Sequence, residues 1–384
     1  MTMNTPGQTT PETPPTPSRS AARLKALAAV VAAFLGLVLV ARCGAGLEDL
    51  NPELASDATA TATATTEPSP SSAPEPTASP STPAATPTPS SEPAAETPDG
   101  ALAIVTHLVA GQAASAVTPD AAGDTARSQV YAGPALTAAN AAAKLRTALS
   151  ADALADLPLK LDAAPVLAIS RGTAYPRTIL VRALKAKTGA PVYLFLIATD
   201  ASGYRIHNQS TMLPGTFSAQ FDALAQGSPV VTDGSGLSVA PDALMAAYAG
   251  WLAFPRTSPT APATLVNDGF AESLLQGAQA EAAALRDVAK VTQVHAPLGV
   301  QTALRLAEGK GALVATVIER NDTYTETTAN ALTPPREYTI LTGKQVIDKK
   351  ATLKSLQFVV FFVPPSGPAQ AVAASDQLVA ASGS

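Results

Sequence analysis

The sequence predicts an α+β protein in which two similar folded units follow an apolar N-terminal segment and a Pro-rich stretch. Three observations support this fold class. Helical spacing of apolar residues is twice followed by strand-like alternation, residues 26–41 form an uninterrupted apolar run, and residues 57–98 lack large apolar side chains. Each observation accounts for one part of the predicted architecture.

The composition narrows the classes of protein to which the chain can belong. Its 384 residues are 46% hydrophobic and 14% charged, which is sufficient for more than one core. The formal net charge is −5 and no basic block lies beyond the N-terminal segment, so nucleic acid is not an expected partner. The single cysteine, Cys43, excludes both an intramolecular disulfide and a cysteine-based zinc site.

The apolar run is typical of a membrane helix. It reads ALAAVVAAFLGLVLVA between Lys25 and Arg42. At about 1.5 Å per residue it is shorter than a hydrocarbon core of about 30 Å, but the two flanking side chains can snorkel outward. Residues 23–42 are therefore predicted to be a single-pass anchor. The basic residues before it place residues 1–22, predicted to be disordered, in the cytoplasm.

Two alternatives for this segment stay open. Basic residues followed by an apolar stretch also describe a cleaved signal peptide. Lipidation of Cys43 is the second alternative, because Val40 and Ala41 resemble a lipobox, although Arg42 occupies the position where a small residue is usual. All three interpretations place the bulk of the chain outside the cytoplasmic membrane.

Residues 43–97 are predicted to be a disordered stalk. They consist largely of Ala, Thr, Ser, Pro and Glu, which cannot form a core. A polyproline II chain rises about 3.1 Å per residue, so some forty residues reach on the order of 100 Å. The stalk is interpreted as a spacer, and O-glycosylation of its Ser and Thr residues is the alternative.

The folded region divides into two units, 98–232 and 238–384, with the boundary in the Gly/Ser/Pro-rich stretch 227–240. Apolar residues follow helical spacing after Asp99 and again after Asp242, and both aspartates are expected to be N-caps.

Second helices and strands follow in both units. The second helices are predicted within 131–149 and 265–285. The strands are predicted at 166–170, 178–185, 192–199 and 204–213, then at 300–307, 312–319, 356–363 and 371–379. VYLFLIAT and FVVFFV are continuous apolar runs, which are typical of central strands. An insertion at 324–352 is predicted to form a hairpin turning at Thr342-Gly343.

This order of elements, together with GYRIHNQSTMLPGTF at 203–217, resembles the tandem cone-shaped domains of the nuclear transport factor two-like superfamily. The whole chain resembles an actinobacterial family of predicted lipoproteins and membrane proteins with a domain of unknown function. The resemblance implies helices covering one face of a curved antiparallel sheet. It implies no particular chemistry, because that superfamily includes both enzymes and binding modules.

The histidines give no signal for catalysis or metal binding. His107, His207 and His295 lie in different predicted elements without metal-ligand spacing, and His295 is expected near a turn. A hydrolase triad of His207, Ser210 and Asp222 is disfavoured because no G-x-S-x-G motif is present. No catalytic, cofactor-binding or metal-binding residue is predicted.

Two glycine-containing motifs and two aromatic residues are interpreted as structural. EGKG at 308–311 lacks the Walker A pattern and is predicted to be a hairpin turn, while GSG at 234–236 is interpreted as linker. Tyr248 and Trp251 fall on one helical stripe and are expected in a core.

The sequence thus predicts a non-enzymatic module held at the membrane, which binds an envelope protein or a cell-wall partner. A carrier of a small apolar ligand or a lipid is the second hypothesis, because cone-shaped domains can enclose an apolar pocket. A hydrolase-type enzyme is the third.

Overall fold

The computed structural model describes residues 92–116, 120–215, 219–258, 260–328 and 332–384. The predicted cytoplasmic segment, anchor and stalk lie outside these ranges, and so do Lys25, Arg42 and Cys43. No helix in the described ranges combines the length and the hydropathy that crossing a bilayer requires.

Helices open the first unit. They are α1 (Pro98–Ser115), α2 (Ala121–Val130), α3 (Gly133–Leu145) and the short α4 (Ala151–Ala155). Thr97 caps α1 by accepting a hydrogen bond from the Gly100 amide at 3.1 Å, so the prediction of Asp99 as the cap is wrong. Pro98 occupies the first helical position, where the missing backbone N–H of proline costs no hydrogen bond, so the residue before it, Thr97, is the N-cap.

Four antiparallel strands follow as predicted, β1 (Leu159–Ile169), β2 (Arg177–Lys185), β3 (Pro191–Ala198) and β4 (Arg205–Met212). β3 carries the VYLFLIA run and is buried on both of its faces, which confirms it as a central strand.

The second part of the folded region, called the second unit here after its predicted bounds, contains α5 (Pro241–Leu252), α6 (Gly269–Leu285), β5 (Ala289–Arg305), β6 (Ala312–Glu326), α7 (Arg336–Thr342), β7 (Lys350–Val363) and β8 (Gln370–Gly383). Unlike the first unit, it has a helix between its second and third strands. Ala240 precedes α5 and provides no side-chain cap, so the prediction for Asp242 is wrong. Asp268 does cap α6, because its carboxylate accepts a hydrogen bond from the Ala271 amide at 2.8 Å.

The two turn predictions in this unit have different outcomes. The EGKG segment forms a short 3-10 turn, Ala307–Gly309, between β5 and β6, as expected of a hairpin. The hairpin at Thr342-Gly343 is wrong, because α7 occupies that part of the insertion. Gly343 ends α7 with φ of 74°, a left-handed conformation that favours glycine at helix C-termini.

All eight strands belong to one sheet with the order β1-β2-β3-β4-β8-β7-β6-β5. The two four-stranded sets meet through the pairs Thr211–Ala374 and Met212–Ala373 of β4 and β8. The predicted boundary segment, 227–240, contacts both outer strands of the sheet. Ser228 pairs with Ser170, directly after β1, and Val230 pairs with Leu304 of β5.

The faces of the two strand sets opposite their helices pack against each other. Phe195, Leu313 and Val360 belong to the apolar cluster between them. Thr178 Oγ1 and Thr302 Oγ1 lie 3.1 Å apart in a buried contact across this interface. The sheet therefore curves strongly, and each strand set keeps its second face for its own helices.

Candidate functional site

The helix-covered face of the first unit is filled by aliphatic side chains. Ile179, Val181, Leu194 and Leu196 are completely buried there. The charged side chain of Arg127 is also buried, and it donates hydrogen bonds to Asn140 Oδ1 at 2.6 Å, the Ser115 carbonyl at 3.1 Å and Asp124 Oδ1 at 2.6 Å. These bonds tie α1, α2 and α3 together, so this arginine has a structural role.

The corresponding face of the second unit carries a buried polar group of residues, which we call the ionic cluster: Glu281, His295, Arg320, Asp322, Tyr324, Gln357 and Asp376. Alternation along β6 places Arg320, Asp322 and Tyr324 on one face. The register brings His295 of β5 beside Arg320 and Gln357 of β7 beside Asp376 of β8.

Arg320 is the centre of the ionic cluster. Its Nη2 lies 3.0 Å from Asp322 Oδ2, and its Nη1 lies 2.8 Å from Asp376 Oδ2. All three side chains are 5% exposed or less. Charge pairs at this depth lose their hydration, so removing one partner is far more costly than removing an exposed pair.

Glu281 brings α6 into the cluster. Its Oε1 accepts a hydrogen bond of 2.8 Å from the Tyr324 hydroxyl, and its Oε2 has no hydrogen-bond partner among the described residues. The pKa of Glu281 is raised from 4.5 to about 8, mainly by burial and also by the neighbouring Asp322, while the Tyr324 hydrogen bond and Arg320 act in the opposite direction. The side chain is therefore mostly protonated at pH 7.

His295 is neutral at pH 7. Burial lowers its pKa to about 4, with a further contribution from the positive charge of Arg320. Its Nδ1 lies 3.0 Å from Gln357 Oε1, which can only accept, so we assign the ring proton to Nδ1. The prediction that His295 lies near a turn is wrong. Pro297 is accommodated in a bulge within the edge strand β5, which continues past it.

The two aspartates also have elevated proton affinity. Burial raises the pKa of Asp322 to about 6 and also raises the pKa of Asp376, while Arg320 opposes both shifts. Clusters of perturbed acids are common at functional sites, although structural ion pairs perturb pKa values too. The described residues contain no group of His, Cys, Asp and Glu side chains arranged to hold a metal ion.

The structure does not bring the residues of the disfavoured triad together. His207 and Ser210 are three residues apart on β4, so their side chains point to opposite faces. The Ser210 hydroxyl is bonded to Asn208 Oδ1 at 2.6 Å, and Asp222 Oδ2 lies 3.0 Å from Arg171 Nη2.

His107 lines an open cleft of about 400 Å³ on the surface of the first unit. The cleft lies between α1, the end of α2 and the start of β4, and its lining is Ala103, Ile104, His107, Leu108, Gln129, Tyr204 and Arg205. The Arg205 guanidinium donates to the carbonyls of Tyr204 at 2.8 Å and Ser128 at 3.3 Å, so it is held in place.

The aromatic pair on α5 lies in the core as predicted. Tyr248 is completely buried, and its ring meets that of Phe361 edge-on at 4.9 Å. Trp251 is 7% exposed and contributes to a second open cleft of about 350 Å³.

The ionic cluster was missed at the sequence level, although one signal for it existed. Leu274, Ala278, Glu281 and Leu285 follow spacings of four, three and four residues, so Glu281 occupies a core position of α6. An acid at such a position requires polar partners on the facing element. The Tyr324 hydroxyl on β6 is such a partner, and Arg320 and Asp322 lie on the same face of the strand.

Comparisons of the chain with protein-family models, with curated proteins and with solved structures give no match. The resemblance to the nuclear transport factor two-like superfamily therefore stays a prediction. The functional proposal has to be supported by the geometry of the described residues.

Proposed function

We propose that the chain is a membrane-anchored, extracytoplasmic binding module of the bacterial cell envelope and not an enzyme. The observation that supports this most directly is that both helix-covered faces of the sheet are filled. Aliphatic side chains line the first, and an apolar cluster around Leu244, Leu274 and Phe361 lines the second together with the ionic cluster. A carrier or an enzyme of this architecture would need room for a small molecule between helices and sheet.

The cleft at α1 and β4 is the surface we propose for the partner. Ile104 and Leu108 provide an apolar floor, while His107, Gln129 and Arg205 provide polar groups around it. His107 and Gln129, which line the cleft, are both exposed to solvent. An apolar centre with a polar rim is the usual anatomy of a protein interface. We propose an envelope protein or a cell-wall component as the partner. The length of the predicted stalk would determine how far from the membrane the folded region can bind it.

Site-specific photocrosslinking in native membranes tests this surface. A photoreactive residue at Gln129, an exposed residue of the cleft, should yield a discrete adduct, and Ile104→Asp should abolish that adduct while the chain stays folded. The matched control is Val266, which is 38% exposed but lies in the second unit. Equal adducts from both positions, or an adduct that Ile104→Asp does not change, would contradict the proposal.

The placement outside the membrane has its own test. A tag after Ser384 should react with a membrane-impermeant label in intact cells. Cys43→Ser separates the alternatives for attachment, because it releases the chain from membranes only if a lipid on Cys43 is the anchor. A tag that reacts only after the cells are lysed would overturn the topology.

We also infer that the two units arose by duplication and belong to the nuclear transport factor two-like architecture. The sheet order supports this, because both edges begin with the first strand of a unit and both fourth strands meet at the centre. Each unit on its own is a helical segment followed by an antiparallel four-stranded meander.

The carrier hypothesis is less well supported than the binding module. Buried polar atoms such as Glu281 Oε2 lie between the helices and the sheet of the second unit, and an apolar ligand there would leave them without hydrogen-bond partners. Native mass spectrometry of the full chain extracted from its own membranes distinguishes the two functions. A lipid that stays bound in stoichiometric amount would favour the carrier.

A further inference from the structure

The ionic cluster holds more acids than it can neutralise. It contains the three carboxyl groups of Glu281, Asp322 and Asp376 but only one guanidinium, that of Arg320. Arg320 is already paired with both aspartates, at 3.0 and 2.8 Å. An ionised Glu281 would add a further negative charge in a region of low dielectric constant, where charges of like sign repel strongly.

The groups that face Glu281 explain why no other charge compensates for it. β6 contributes Arg320, Asp322 and Tyr324, of which Tyr324 is a neutral donor. β5 contributes His295, which is neutral.

The remaining elements supply no second cation. β8 contributes Asp376, while the side chains of β7 on this face, Ser355 and Gln357, are uncharged. Within the described part of the chain, Arg320 is thus the one cation that these elements present to Glu281.

We propose that α6 is held on the sheet by the protonated form of Glu281, and that loss of this proton loosens the helix. Apart from the Asp268 cap at its start, the other buried residues of α6 are Ala271, Leu274, Leu275, Ala278 and Leu285, which do not titrate. Glu281 is therefore the buried titratable side chain within the helix itself. The proposal goes beyond partner binding and does not depend on it.

The direction of the effect follows from where Glu281 titrates. Its pKa is about 8 in the folded chain, raised by burial above the ordinary value of 4.5. The carboxyl regains its ordinary pKa of 4.5 when α6 loosens, so loosening is coupled to proton release and is favoured progressively as the pH rises from 4.5 to 8. Above pH 8 the folded chain also releases the proton, and the effect levels off. Between pH 6.5 and pH 9 the population of loosened α6 should therefore rise about thirtyfold.

Hydrogen exchange of the full chain, monitored by mass spectrometry, tests the proposal. Amides of 269–285 should lose about thirtyfold in protection between pH 6.5 and pH 9, after correction for intrinsic exchange, while amides of α1 should not. Glu281→Gln mimics the protonated acid and should keep α6 protected at both pH values. Glu272→Gln, on the exposed first turn of the same helix, should behave like the unmodified chain.

Two results would overturn the proposal. One is protection of α6 in the unmodified chain that does not change with pH. The other is a folded Glu281→Gln variant that keeps the full pH dependence. If Glu281→Gln does not fold, infrared difference spectra of the unmodified chain between pH 6.5 and pH 9 decide the matter. Loss of a buried protonated carboxyl band in parallel with loss of α6 protection supports the proposal, and its absence refutes it.

Discussion

The hydroxyl of Tyr324 on β6 donates a 2.8 Å hydrogen bond to the carboxyl of Glu281 on α6. This hydrogen bond is shielded from solvent, because Tyr324 is completely buried and Glu281 is 2% exposed. It joins the helix layer of the second unit to the sheet. In the first unit the buried arginine, Arg127, instead ties helices to one another.

Tyr324→Phe should lower the free energy of unfolding by about 1–3 kcal/mol, because it removes the donor and leaves Glu281 Oε1 buried without it. Urea denaturation followed by circular dichroism at pH 7 measures the effect. Tyr175→Phe is the matched control, since that ring is 44% exposed and its hydroxyl should contribute little. An equal decrease in the free energy of unfolding in the two variants would show that the buried hydrogen bond stabilises the fold no more than the exposed hydroxyl does.

Stability should decline as pH rises from 6.5 to 8. The pKa of Glu281 is raised from 4.5 to about 8, so across that interval the folded chain binds more protons than the unfolded chain, and its stability falls with pH. The pKa of His295 is lowered from 6.5 to about 4, so this residue makes stability rise with pH, mainly between pH 4 and pH 6.5. Its effect therefore falls mostly outside the interval from pH 6.5 to 8. The loss between pH 6.5 and 8 should be about 1.5 kcal/mol.

Denaturant titrations at half-unit pH intervals check this slope. Glu281→Gln should remove it, because an amide does not titrate. A slope that survives in that variant would assign the titration to another group.

Arg320→Met should destabilise the chain by about 3–5 kcal/mol, because Asp322 and Asp376 would remain buried without their cation. Adding Asp322→Asn and Asp376→Asn to the same chain should recover part of that loss, since the amides carry no charge. Thermal unfolding at pH 7 compares the single and triple variants. A triple variant less stable than the single one would indicate that the aspartates do not depend on Arg320.

The fold class could be predicted from the sequence because alternation and helical spacing report directly on burial. The strands of the second unit were predicted too short, since β5 continues through Pro297 and β6 continues through the charged residues at 319–322. Charges and proline normally end a strand, and here a bulge and mutual ion pairing allow it to continue. α2 was missed because its Ala, Gly, Ser and Thr residues carry little hydrophobic signal.

The ionic cluster could be predicted only in part. The core position of Glu281 is visible in the spacing of α6, but the identity of its partners depends on the register between four strands. That register is set by tertiary packing and by the bulges near Pro297 and Val300. Residues distant in sequence, such as Arg320 and Asp376, come into contact only once that register is set.

Substitution of the aspartates at the starts of α5 and α6 tests whether each one stabilises its helix as an N-cap. Asp268→Ala should cost about 1–2 kcal/mol, because this carboxylate accepts from the Ala271 amide at 2.8 Å and from the buried Tyr248 hydroxyl at 3.1 Å. Asp242→Ala should change stability by less than about 0.5 kcal/mol, because Asp242 is exposed and is not the N-cap of α5. Chemical denaturation of both variants under identical conditions measures the difference. An Asp242→Ala variant destabilised as much as Asp268→Ala would restore the original prediction for α5.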